Sequence, residues 1–191
     1  MKQVHAAVTL LLMSAARLMA DETIEGPRLD RAAVLALVEA KDVHSLDRTY
    51  KRLRPNAALD VLYRSLRLRM QPGSENEEAL LKTVPKTFEE YVLYLALEDP
   101  SMGTKAVTIL SEVVDGYYER VARLTVSHHG SFEPYLRLHS FTDGYARTDS
   151  QEWLEWLFEK DRDAFRSCFQ ALDSDTKRGI CGDDCATYEA K

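Results

Sequence analysis

Apolar and polar positions along the chain recur at a helical period. From Leu59 to Met70 the apolar set is Leu59, Leu62, Tyr63, Leu66 and Met70, with Asp60, Arg64, Arg67 and Arg69 on the rest of the turns. Steps of three and four place the first set on one face and predict a helix with a buried stripe and a wet one. A longer seam passes through Val107, Leu110, Val114, Tyr117, Val121 and Leu124. Its alternating steps predict a single long helix packed against neighbours. Phe88, Tyr91, Val92 and Leu95 repeat the spacing while Leu93, Tyr94 and Leu97 fill the other faces, which predicts a central helix buried all round.

Breaks fall at RLRPN, QPGS, TVPK, EDPSMG, HHGS and TDG. Thr87 with Glu90 and Ser74 with Glu77 have capping-box spacing, and Asp149 with Glu152 is a looser version. The predicted helices are Leu29–Glu39, His44–Leu53, Asn56–Met70, Glu75–Lys82, Phe88–Leu97, Thr104–Ser127, Phe132–Ser140, Gln151–Lys160 and Arg162–Leu172. Alternating β-branched runs are absent, so the expected fold is all-α. Short, even connectors favour short antiparallel helices stacked as helical hairpins, in the manner of an α-solenoid such as a HEAT array, with an irregular helical bundle as the other arrangement. Asp-Gly-Tyr occurs at Asp115 and again at Asp143, 28 residues on, but no HEAT or tetratricopeptide consensus accompanies it. Gly116 is expected inside a helix, where it permits close packing, and Gly144 is expected to end one.

The first twenty residues follow a different logic. Lys2 is followed by an apolar run from Ala6 to Met13 and by the small residues Ser14, Ala15 and Ala16, the layout of a secretory signal peptide. The alternative is an ordinary first helix. With 1–20 as a leader, 21–191 forms a single all-helical domain ending in a cysteine-containing tail from about 173 to 191, and the expected location is periplasmic or secreted. The apolar run is far short of the ~20 residues that a bilayer core demands, so no integral membrane segment is expected in the mature chain.

The formal charge of the 191-residue chain is −6, and removing Lys2 and Arg17 with the leader takes it to −8. An acidic body repels phosphate backbones, which argues against a nucleic-acid partner. The basic stretches YKRLRP and YRSLRLRM lack Gly-rich or aromatic interleaving and are expected to be solvated helix faces. The sequence contains no nucleophile elbow and no glycine-rich phosphate loop. His128, His129 and His139 lack the spacing of a metal site, so no metal or cofactor is expected. Glu75, Glu77, Glu78, Glu89 and Glu90 sit where first turns and caps use carboxylates.

Nine tyrosines against six phenylalanines are the strongest positive sign. Tyrosine and tryptophan join apolar area to a polar tip and dominate interface hot spots. The expected interface residues are Tyr117, Tyr118, Tyr135, Tyr145 and Trp153, on a surface rimmed by acid and suited to a basic protein or peptide. The leading expectation is therefore an exported binding module, of the type of an immunity protein or inhibitor that occludes a partner in the cell envelope. An envelope hydrolase with an unrecognised carboxylate pair and a cytoplasmic helical-repeat adaptor are the alternatives, and catalysis ranks below binding. In an oxidising compartment the three cysteines suggest a bridge. It would join Cys168 to Cys181 or Cys185, or else close the small ring Cys181 to Cys185. A calcium loop at Asp173, Asp175 and Asp184 fails because Lys177 and Arg178 occupy the fifth and sixth positions.

Overall fold

The computed structural model of the chain describes residues 29–128, 131–182 and 185–189. The proposed leader lies outside them. The described residues form an all-α fold without strands. Local chemistry accounts for most of the helix starts. Asp30, Asn56, Asp161 and Asp173 accept backbone N–H groups at the heads of α1 (Arg31–Val38), α3 (Ala57–Met70), α10 (Arg162–Ala171) and α11 (Ser174–Cys181). At α2 (Val43–Tyr50), Asp42 and Ser45 form a reciprocal capping box. Thr87 caps α5 (Phe88–Leu95) as its spacing predicts. Ser74 is instead the first residue of α4 (Ser74–Leu81), and Asp149 lies inside α9 (Gly144–Lys160).

Two helices act as hubs. In the N-terminal half α3 packs against α1, α2, α4 and α5 and also meets α6 (Thr104–Asp115). Its fully buried face is Ala58, Leu59, Val61 and Leu62. In the C-terminal half α8 (Glu133–Ser140) packs against α7 (Tyr117–Ser127), α9, α10 and α11. Several of these contacts join consecutive helices, whereas α3 with α5 and α8 with α11 join helices separated in sequence.

The seam expected to run unbroken from Thr104 to Ser127 is divided at Gly116, which ends α6 and precedes α7. Leu110, Val114, Tyr117, Val121 and Leu124 remain buried on both sides of the break. A Cβ on Gly116 would lie 3.2 Å from the Glu112 carbonyl oxygen, so the tight junction suits glycine. Gly144 does not end a helix but begins α9. The helix expected to be buried all round is covered on one side only. Tyr91 and Tyr94 are core residues, whereas Phe88 is 54% exposed and Val92 is 48% exposed, one turn apart on the solvent side of α5.

The C-terminal tail is helical. α11 and the short α12 (Ala186–Glu189) fold back over α8 and α10. Asp173 starts α11 by accepting from the Thr176 N–H and hydroxyl, both at 2.8 Å. Gly182, at φ +63°, turns the chain out of it. Of the pairings left open, Cys181 and Cys185 stand at disulfide distance, Cα to Cα 5.2 Å, and Cys168 takes no part. This ring is smaller than a Cys168 bridge would close, and a loop of this size contributes only about 2 kcal/mol in the chain-entropy account. Beyond it Tyr188 lodges against Phe158, Phe165 and Phe169 with ring centroids at 5.4, 5.4 and 5.7 Å.

The closest backbone approach in this region is between α11 and α8. A Cβ on Gly179 would lie 2.5 Å from the Ser140 carbonyl oxygen and 2.9 Å from the Ser140 Cβ. Gly179→Ala is therefore expected to push α11 off α8 and to lower stability by about 1–3 kcal/mol. Chemical denaturation of the full chain checks this: the midpoint falls, and an unchanged midpoint would show that the approach is not tight.

Candidate interaction surface

The tyrosines expected at an interface are mostly core residues. Tyr117 and Tyr135 are fully buried, and Tyr118 is nearly so. Their phenols face polar groups inside the protein, Tyr117 lying near Thr83 and Arg120. The Tyr118 and Tyr91 hydroxyls are 2.9 Å apart. Tyr135 donates to the Ser150 carbonyl at 2.5 Å, and the Tyr117 ring packs 4.9 Å from that of Tyr94. Burial pushes the Tyr117 and Tyr135 phenols above their ordinary range. In this fold these three side chains have no area to offer a partner. Tyr145 lies in the first turn of α9, and its side chain is outside the described part of the structure.

Trp153 is different. It is half-buried on α9, and so is Trp156, one turn further along. The two rings meet edge to face, centroids 5.7 Å apart. Arg123 of α7 lies over both, 5.1 Å from Trp153 and 5.7 Å from Trp156, and Lys160 covers Trp156 at 5.3 Å. Arg123 is held in turn by Glu119, one helical turn away, at 2.8 Å. Helical spacing puts Trp153, Trp156 and Lys160 on one outward stripe of α9. The buried residues Leu154 and Leu157 flank it, and both tryptophans pack against the edge of the core. The stripe thus carries two tryptophans beneath an arginine that Glu119 anchors, and tryptophan and arginine are residue types enriched at interface centres. The i, i+3 tryptophan pair was visible in the sequence, but the arrival of Arg123 from another helix was not.

Behind this stripe α9 contributes to a polar core under α11. His139 is buried, with Nδ1 2.9 Å from the Ser150 hydroxyl. Thr142 donates to the His139 carbonyl at 2.7 Å and lies 3.0 Å from the Ser150 hydroxyl. Arg147 reaches across to donate to the Gly179 carbonyl at 2.5 Å and to the Ile180 carbonyl, capping the end of α11. Burial, reinforced by the Arg147 charge and opposed by the Ile180 backbone, lowers the His139 pKa from 6.5 to about 3. A serine beside a histidine resembles a nucleophile and its base. Here both side chains are sealed from solvent, so the pair serves packing.

The other sequence candidates are dispersed. His128 ends α7 and bonds Glu77 at 2.7 Å, tying α7 to α4, and His129 falls outside the described residues. No metal-binding group of three His, Cys, Asp or Glu side chains occurs among the described residues. Within the basic stretches, Arg67 pairs with Asp47, Arg69 pairs with Glu112, and Arg64 lies over the Tyr63 ring. A cleft of about 410 Å³ gathers Asp60, Glu75 and Glu78 near Arg64 and Lys82. Glu75 and Glu78 are exposed and Asp60 is engaged by the Tyr50 hydroxyl, so the cleft lacks the buried acid that glycoside hydrolysis uses. Cys168 is half-buried and lines a second cleft with Arg137, Leu172 and Asp173. No helix among the described residues is long and apolar enough to cross a membrane.

The chain matches no family, no curated protein and no solved structure in the three comparisons made.

The His139 environment carries a pH dependence. Its pKa is lower in the folded state than in the unfolded, so the stability it contributes is present above about pH 6.5 and is lost as pH falls toward 3. Between pH 6.5 and 4.5, above the carboxylate range, the wild-type stability should fall by on the order of 1 kcal/mol per pH unit relative to His139→Gln. Denaturant titrations of both proteins across that window measure the difference, and parallel pH curves would contradict it.

Proposed function

We propose that this protein is a helical protein-binding module, exported to the periplasm or beyond, which occludes or scaffolds a protein or peptide partner without turning over a substrate. The observation that carries the proposal is the Trp153–Trp156 pair. Both of the protein's tryptophans are only partly buried, side by side at the edge of the core and covered by Arg123 and Lys160, while Tyr91, Tyr94, Tyr117, Tyr118 and Tyr135 are withdrawn into the core. Aromatic anchors with arginine at their centre are what interface hot spots are built from. The acidic body of the chain favours a partner with basic character over nucleic acid. Near the stripe itself Arg123 and Lys160 are balanced by Glu119, Glu152 and Glu159, so apolar contact at its centre and charge pairing at its rim would share the recognition.

Export is supported by the leader-like residues 1–20 and by the Cys181–Cys185 pair, which suits an oxidising compartment. In such a module the α9 stripe would fill a pocket of the partner and block whatever that pocket does.

Two measurements test the proposal. Mass spectrometry of the protein from its native host should find the N-terminus near residue 17 or 21; a retained Lys2 would remove export. A photoreactive residue placed at position 156 should crosslink a stoichiometric partner in the native envelope, whereas the same group at position 54 should not. Trp153→Ala should then weaken that partner's binding by about 30-fold or more, the effect of a hot-spot anchor, with the helical circular dichroism unchanged. Equal crosslinking at both positions, or full affinity in the folded variant, would overturn it.

A further inference from the structure

A further cavity lies where α3, α6 and α7 meet. Its volume is about 270 Å³, and it is lined by Ser65, Leu68, Arg69, Glu112, Val113 and Arg120. Two of these side chains are incomplete as they stand. Ser65 is 3% exposed, and its hydroxyl has no hydrogen-bond partner among the described residues. A buried hydroxyl left in that state costs stability that a bound acceptor would return. Arg120 is half-buried and has no ion-pair partner among the described residues. The adjacent carboxylate in sequence, Glu119, is taken by Arg123, and the carboxylate in the cavity, Glu112, is taken by Arg69.

The charge balance narrows the ligand. Arg69 and Glu112 pair with each other, which leaves Arg120 as the cation of the cavity without an ion pair of its own among the described residues. Burial lowers the Arg120 pKa, opposed by the nearby Tyr94, Tyr117 and Glu119 and aided by Arg69. The divided seam helps to place it: a Cβ on Gly116 would lie 3.4 Å from Arg120 Nη2, so the absence of a side chain there leaves the guanidinium room. A guanidinium presents paired N–H donors that match the two oxygens of a carboxylate. A single negative charge balances the site, and the volume lies just below the range of pockets for drug-sized ligands.

We propose that this cavity binds a small monocarboxylate, gripped by Arg120 and given a further hydrogen bond by the Ser65 hydroxyl, with the Arg69–Glu112 pair closing one side. The site is independent of the tryptophan stripe. Leu68 and Val113 provide an apolar wall for the short carbon chain of such a ligand. The carboxylate of Glu112 disfavours a doubly charged phosphate relative to a singly charged carboxylate.

The test uses the full chain and defined probes. Acetate, propionate and butyrate, titrated at constant ionic strength against chloride, should shift the Arg120 side-chain Nε–H resonance in a saturable manner and raise the Tm. Inorganic phosphate forms the second arm. Ser65→Ala removes only the unpaired hydroxyl and should weaken carboxylate binding several-fold while folding normally. Arg120→Gln should weaken it tenfold or more, and Arg54→Gln, distant and exposed, should leave it unchanged. Absence of saturable binding in the wild type, unchanged affinity in Ser65→Ala, or tighter binding of phosphate than of every carboxylate would each overturn the assignment. Because the wild-type resonance and the Ser65 variant are read directly, misfolding of Arg120→Gln would not shelter the proposal.

Discussion

The guanidinium of Arg147 is half-buried where α8, α9 and α11 converge, and the packing of α11 against α8 is arranged around its hydrogen bonds. A charge withdrawn from water is costly unless its hydrogen-bonding capacity is met. Here the acceptors are main-chain carbonyls at the end of α11, which need donors for the reason that every helix end does. Each side of the interaction relieves the other. The consequences spread outward: α11 must come close enough to α8 for its carbonyls to be reached, which only a glycine at position 179 allows. His139, beside the same cation, is held neutral and can then accept or donate within the Ser150 and Thr142 network without adding a second buried charge.

Most of the fold was legible in the sequence because most helices here are set by local signals. The period from Leu59 to Met70 and the caps at Thr87, Asn56 and Asp30 act within a turn or two, so neighbouring residues suffice to infer them. The segment SDTKRGIC has a cap at Asp173 but no apolar period to follow it. Its buried residues are Thr176 and Ile180, too few for a recognisable stripe, and its helicity depends on an Asp173 cap and on docking against a distant helix. The division at Gly116 escaped for the opposite reason: the apolar spacing continues through it, and period alone cannot register a change of axis that leaves the seam buried.

The candidate surface was legible only in part, for one physical reason. Tyrosine abundance points to surface chemistry, but a phenol needs a single partner, and a helical core offers carbonyls and other phenols in quantity. Tyr94 donates to the Val114 carbonyl and Tyr135 to that of Ser150, so their rings can be wholly buried. On α9 the helical period assigns Leu154 and Leu157 to the core and leaves Trp153 and Trp156 at its edge. The partner of those rings, Arg123, comes from α7, a relation that depends on how two helices pack and that no spacing within either one encodes.

The confinement of both indoles to a single outer stripe also governs how this protein is seen in solution. With two tryptophans in the chain, adjacent and under one guanidinium, ultraviolet emission originates almost wholly at the rim of α9, and none of it in the packing around α3. A change in that emission therefore reports on α9 and what touches it. The molecule thus carries an intrinsic optical reporter confined to one of its surfaces.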